Sequence, residues 1–145
     1  MKIKFVKTKP NASLPQKGTD GAAAFDLRAC IDAPVTIHAN ETVLIPTGLK
    51  METPVGFASL LFPRSGLASK HGISLANCVG VVDSDYRGEI GIALVNHKTE
   101  PFTIQPGDRV AQLALVPVVD FDPVEAEELS DTERAEGGFG HTGLL

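Results

Sequence analysis

The sequence predicts an all-β core, folded as a sandwich or barrel and followed by a mobile tail. Ten prolines and fourteen glycines punctuate the chain about every eight to twelve residues, the spacing of short strands joined by turns. The segments between them are rich in Val, Ile, Leu, Phe and Thr, residues that suit a pleated, half-buried surface. No long stretch repeats its apolar residues at helical spacing.

The elements follow in order. Lys2 to Val6 alternates charge with apolar residues as an edge strand does, and its lysines discourage stray edge pairing. Pro10 to Gly18 reads as a loop. Ala22 to Ala29 has the pattern of a strand with an acid, Asp26, and a base, Arg28, embedded in it. Val35 to Ile37 and Thr42 to Ile45 come next, and Pro46-Thr-Gly48 marks a turn. Gly56 to Phe62 is an apolar strand that stops at Pro63, after which Ser65 to Lys70 can make one helical turn. Val79, Val81 and Val82 favour extended backbone, Gly88 ends the polar group that follows, and Ile90 to Val95 resumes strand composition. That arrangement predicts a hairpin with chemistry at its tip. Phe102 to Ile104, the turn Gln105 to Asp108, and Arg109 to Val119 complete the apolar pattern.

A chain of 145 residues fits one domain and buries a useful core without metals or disulfides. Cys30 and Cys78 are too few for a disulfide framework and lack metal-site spacing, so both are expected as small buried thiols in a reducing compartment, the cytoplasm. The first ten residues lack the apolar run of a signal peptide, and no later run is long enough to span a bilayer. A formal charge of −5 argues against broad electrostatic binding to nucleic acid, so an anionic ligand must be met by a few placed arginines.

Residues 120–133 are dense in Asp and Glu and nearly lack large apolar side chains, which predicts an acidic linker between a core of residues 1–119 and a C-terminal arm of residues 134–145. The arm, Arg134-Ala-Glu-Gly-Gly-Phe-Gly-His-Thr-Gly143, has four glycines whose backbone N–H groups can wrap an anion. Phe139 has no strand neighbours there, and stacking on a flat ligand is one physical use for it. A flexible tail has the same composition.

Within Gly80-Val-Val-Asp-Ser-Asp-Tyr-Arg-Gly-Glu89, two carboxylates, a ring and a cation project from a braced turn. A solvated Asp- and Gly-rich turn would read alike. Four other stretches decide between the two. Asp20-Gly-Ala-Ala-Ala-Phe-Asp-Leu-Arg-Ala29, Pro63-Arg-Ser-Gly-Leu-Ala68, Gly107-Asp-Arg-Val-Ala-Gln-Leu113 and Arg134 to Gly143, together with Gly80 to Glu89, resemble in order and spacing the five motifs of trimeric dUTP pyrophosphatases. The resemblance runs from about Gly18 to Gly143 and departs at Phe25, where a Leu or Tyr is usual.

The resemblance implies a jelly-roll-like β-clip fold and hydrolysis of dUTP to dUMP and diphosphate, which keeps uracil out of DNA and supplies dUMP for thymidylate synthesis. It implies Asp83 as the general base that activates water for attack at the α-phosphorus, a role a carboxylate on a turn can fill. It places Arg64, Ser65, Gly66 and Gln112 at the phosphates, and Arg134, Phe139 and Gly140 in the arm that closes over them. Asn77 and the backbone at Gly80 and Val82 would pair with uracil, and Tyr86 would lie against the deoxyribose and exclude a 2′-hydroxyl. Asp26 and Arg28 would orient the phosphate-binding side chains; a buried structural pair is the other reading of them. The family uses Mg²⁺, which a triphosphate carries in with its own waters, so no protein ligand to a metal is expected. Homotrimers with sites shared between subunits are implied as well.

Two other functions fit parts of the sequence. A dCTP deaminase of the same fold would need a glutamate base and a more polar stretch than Pro63 to Ala68. A nucleotide-binding regulatory module without chemistry would not need Asp83, Arg64, Gln112 and Arg134 together.

Overall fold

The computed structural model describes residues 1–138. Its described strands form two four-stranded sheets and a two-stranded ribbon, antiparallel throughout. The first sheet runs in the order β1 (Lys4–Lys7), β4 (Thr42–Glu52), β8 (Glu89–Asn96), β6 (Ile73–Leu75). The second runs β2 (Phe25–Arg28), β10 (Arg109–Pro117), β5 (Phe57–Phe62), β7 (Gly80–Val82). The ribbon pairs β3 (Val35–Ile37) with β9 (Phe102–Ile104). An all-β, jelly-roll-like architecture is therefore present, and β1 is the edge strand its lysines suggested.

Alternation explains how these strands bury a core. In β8 the residues Ile90, Ile92 and Leu94 point inward and their neighbours outward, as a period of two requires. They meet Ile45 and Leu49 of β4, Leu27 of β2, Ile104 of β9 and Val110 of β10. Burying each such side chain contributes about 1.5–3 kcal/mol. Asn96 continues the inward row and is fully buried. Its amide donates to the carbonyls of Ile37 and Glu100 at 3.0 and 2.8 Å and accepts from the Lys98 N–H at 2.9 Å, so a buried polar group fastens the ribbon to the sheet.

Three local expectations are overturned. Pro46-Thr-Gly48 does not turn the chain, because β4 continues through it. The ladder to β8 instead shifts register between Pro46 and Lys50, and Gly48 takes a φ of +67° there. A Cβ at Gly48 would lie 2.6 Å from Cys30 Sγ, so glycine serves both the backbone angle and the close approach. The proline carbonyl accepts from the Cys30 N–H at 2.8 Å, and the Thr47 hydroxyl donates to the Ile90 carbonyl at 2.7 Å. Proline and glycine here announce a bulge.

The second correction concerns Gly80 to Val95. β7 pairs with β5 and β8 with β4 and β6, so the residues between them cross from one sheet to the other and do not cap a hairpin. The third concerns Cys78, which is exposed with a φ of +61°, whereas Cys30 is buried. The helical turn expected at Ser65 to Lys70 is a five-residue π-helical turn at Leu67–His71, closed by Gly72 at a φ of +67°.

Candidate functional site

Asp26 is the hub of the charged residues. Strand β2 places it in register with Gln112 of β10, and Gln112 is in register with Phe62 of β5 on its other side. Two residues past Phe62, beyond Pro63, Arg64 reaches back, and its Nε donates to Asp26 Oδ1 at 3.0 Å. Arg109 Nη1 donates to the other oxygen, Oδ2, at 3.2 Å. The Asp26 side chain is 13% exposed, so its charge is largely withdrawn from water, and two guanidinium groups compensate it. Such charge-assisted bonds are worth about 1.5–3 kcal/mol each. Arg64 Nη1 also donates to the Arg109 carbonyl at 3.3 Å, which couples the two arginines through backbone as well as through the acid.

Arg109 was not singled out by the sequence, and the reason is geometric. Residues 109 and 112 of a regular strand point to opposite faces. In β10 the pairing to β2 shifts register between Arg109 and Ala111, so Val110 and Ala111 are both buried. This bulge turns Arg109 onto the face that carries Gln112 and Asp26. Arg28, in register with Arg109, donates from Nη1 to the Gly107 carbonyl at 2.8 Å. The turn that supplies that carbonyl is fixed in place: Gly107 N–H donates to the Ala29 carbonyl at 2.9 Å, and the Asp108 carbonyl accepts from the Ala29 N–H at 2.8 Å.

Arg28, Arg64 and Arg109 line a cavity of about 420 Å³. The one acid in its lining, Asp108, already accepts from the Gln105 N–H at 2.8 Å. Two of the three cations also compensate Asp26, so three guanidinium groups stand against two engaged carboxylates; the excess of one positive charge inside a chain of net charge −5 is the pattern expected of an anion site. Ser65 and Gly66 are exposed on the segment that enters the helical turn next to Arg64. A second groove of about 310 Å³, lined by Met1, Ile3, Phe5, Phe25, Leu113 and Leu115 among others, has no charged side chain in its lining and lacks the arginines of the first. Phe25, the departure from the family pattern, lies in that groove with Lys17 Nζ 5.4 Å from its ring centroid.

Asp83 is exposed at the start of the crossing between sheets, directly after the buried Val82. Tyr86 follows, its N–H donating to the Asp83 carbonyl at 3.3 Å and its hydroxyl to the Glu89 carbonyl at 3.0 Å. Asn77 is exposed in the connection between β6 and β7, and Gly80 is buried in β7 against Leu61. Arg134 is exposed, with Nε donating to the Gly137 carbonyl at 2.7 Å. Phe139 and Gly140 lie outside the described residues.

These residues form two groups within one chain. The pairing of β5 with β7 sets Leu61 opposite Gly80 and Ser59 opposite Val82. Because the strands are antiparallel, β5 leads toward Arg64 while β7 leads the other way toward Asp83. The three steps from Ser59 to Phe62 alone span roughly 10 Å of strand. Asp26, Arg64, Arg109 and Gln112 are thus gathered at one end of this pairing, and Asp83 and Tyr86 at the other.

No three of the described His, Cys, Asp and Glu residues come together as a cage for a metal ion. No chemical step is assigned to a resident cation.

Fold and cavity together define an all-β protein of the jelly-roll-like β-clip class with an arginine-lined cavity. The chain belongs to the dUTPase family, which its residues 10–143 match. The deoxyuridine 5′-triphosphate nucleotidohydrolase of Pasteurella multocida is 52% identical over 131 residues, 90% of this chain and 87% of the relative. That of Desulfitobacterium hafniense is 48% identical over 145 residues, 99% of this chain and 96% of the relative. Among solved structures, a Staphylococcus bacteriophage 80alpha dUTPase with dUPNHPP superposes at a TM-score of 0.90 with 26% identity, covering 99% of each chain. A dUTPase from phage phi11 of S. aureus, for which coordination of a structural Mg(II) ion is described, shares the fold at a TM-score of 0.79 and 23% identity, covering 88% of this chain and 98% of that one.

Proposed function

We propose that this protein hydrolyses dUTP to dUMP and diphosphate by attack of water on the α-phosphorus. The match to the dUTPase family over residues 10–143 carries this reading. The arginine-lined cavity supplies what the chemistry needs most, since neutralising phosphate charge outweighs general-base assistance, itself worth about 10²–10⁴ in rate. Asp83 takes the proton of the attacking water. Arg64, Ser65, Gly66 and Gln112 hold the phosphates, with Arg64 oriented by Asp26. Arg134, Phe139 and Gly140 close the site from the arm. Asn77 and the backbone of Gly80 and Val82 pair with uracil, and Tyr86 packs against the deoxyribose. Mg²⁺ enters on the triphosphate as part of the substrate, which suits a chain whose described acids form no metal cage.

The same reading makes the protein a homotrimer with sites shared between subunits. Its support is the divergence of β5 and β7, which carries Asp83 and Arg64 of one chain apart. A base from one subunit and an arginine group from another can meet where those of a single chain cannot. We place the chain as one unit, with core 1–119, acidic linker 120–133 and arm 134–145, and we place it in the cytoplasm, where free thiols such as Cys30 and Cys78 persist. Residues 117–136 are exposed throughout, as a linker requires. No described helix is long and apolar enough to cross a membrane.

Diphosphate release from dUTP, dCTP, dTTP and UTP, measured side by side, tests the activity. Turnover of dUTP far above the other three is expected. Ammonia released from dCTP would instead mark a deaminase, and tight dUTP binding without turnover a silent nucleotide-binding module.

A further inference from the structure

We infer that Gly88 and Glu89 are positioning residues for Tyr86 and, through it, set the selection between deoxyribo- and ribonucleotides. The inference rests on the placement of Tyr86 against the sugar proposed above. A steric filter rejects a 2′-hydroxyl only if it does not yield. Tyr86 is 45% exposed, so the core does not hold its ring, and something else must.

Two neighbours do. The ring lies across the backbone of Gly88, where a Cβ would overlap the tyrosine hydroxyl and Cζ and lie 2.9 Å from Cε2. Gly88 is not among the residues with positive φ, so glycine is needed there for space and not for conformation. The hydroxyl then donates to the Glu89 carbonyl at 3.0 Å. That carbonyl is itself a fixed point. Glu89 Oε1 accepts from the Gly48 N–H at 3.0 Å, and Oε2 accepts from the Thr8 hydroxyl at 2.6 Å. Thr8 and Gly48 are joined in turn, the Thr8 N–H donating to the Gly48 carbonyl at 2.8 Å. One carboxylate therefore ties the start of β8 to the bulge of β4 and the end of β1, and an exposed ring inherits the rigidity of a sheet.

Tyr86 is the only tyrosine in a chain without tryptophan, so intrinsic fluorescence reports on this ring alone. Acrylamide quenching of the tyrosine emission is measured in the full-length protein and its variants Gly88→Ala and Glu89→Gln, and kcat/KM for UTP relative to dUTP in these and in Tyr86→Ala, which has no tyrosine left to emit. Gly88→Ala is expected to increase quenching and to raise the UTP-to-dUTP ratio toward that of Tyr86→Ala. Glu89→Gln keeps the shape but cannot accept from both Thr8 and Gly48, and it should raise the ratio on the order of two- to tenfold. If Tyr86→Ala raises the ratio while Gly88→Ala and Glu89→Gln change neither quenching nor ratio, the inference is overturned and the proposed sugar contact stands. If Tyr86→Ala itself leaves the ratio unchanged, the sugar contact falls and the inference falls with it. Equal losses of kcat/KM for both substrates at constant ratio show a structural role only, and they also overturn it. Should Gly88→Ala not fold, Tyr86→Phe keeps the ring and deletes its bond to Glu89: a higher ratio supports the inference, and an unchanged one rejects it.

Discussion

Arg109 meets Asp26 at 3.2 Å on the carboxylate whose other oxygen holds Arg64 at 3.0 Å. One acid thus sets the positions of two arginines that line the same cavity. Replacing Arg109 with Ala leaves Asp26 with a single partner and loosens Arg64. A lost charge-assisted bond of about 1.5–3 kcal/mol corresponds to a fall in kcat/KM for dUTP of roughly 10–150-fold. Arg109→Lys keeps the charge without the fork and should recover part of it. A kcat/KM for Arg109→Ala within about twofold of wild type would remove Arg109 from the phosphate machinery.

Asp83 behaves differently because its side chain is exposed and joins no described ion pair. Asp83→Asn should leave the melting temperature within about 2 °C of wild type, as exposed substitutions do. Turnover of dUTP should fall by about 10²–10⁴ while binding of a non-hydrolysable analogue persists. Near-normal turnover would mean that another group takes the proton.

Opposite ends of the β5–β7 pairing carry Arg64 and Asp83, and this predicts complementation. The proposed trimers of Asp83→Asn and of Arg64→Ala, each expected to be inactive, are dissociated and reassembled together. A working site then takes its base from one chain and its arginine from the other, each with probability about one half, so roughly a quarter of sites are intact. Activity near a quarter of wild type, with subunit exchange confirmed by mass, supports a shared site. No recovery after confirmed exchange would put base and arginine in one chain.

The two thiols should separate cleanly. Cys78 is exposed and Cys30 buried, so a maleimide should label one thiol per folded chain and the second only after unfolding. Two fast equivalents would contradict the burial of Cys30. Burial pushes the Cys30 thiol up from its ordinary 9.0, and the nearby Lys9 ammonium opposes this. The unfolded thiol therefore loses its proton first, and the stabilisation is complete below pH 9.0 and lost as pH rises through the higher folded value. The stability gap between wild type and Cys30→Ala should accordingly narrow as pH rises past 9.0, read from denaturant midpoints.

Much of the fold was legible because side-chain alternation is a local property. Ile90, Ile92 and Leu94 announce the inward face of β8 without reference to any partner. Pro63 marks where β5 stops, and Gly107 with Asp108 marks the turn before β10. Asp26 and Arg64 were legible as site residues from the resemblance, and the structure joins them.

What the residues alone determined is most of the extended segments, turns such as Gln105 to Asp108, and which side chains carry charge, since each depends on neighbours within a few positions; Pro46-Thr-Gly48 escaped because a bulge and a turn share the same local residues. Partners are a different matter. That β7 pairs with β5 and β8 with β4 and β6 depends on which apolar faces find each other across dozens of residues, and no local pattern encodes it. The bulges at Gly48 and Val110 belong to the same class. A one-residue offset costs nothing in composition yet reverses every side chain beyond it. For that reason only the tertiary structure could bring Arg109 to Asp26, expose Cys78, and rest the ring of Tyr86 on a glycine whose neighbour Glu89 is tied to the opposite strand.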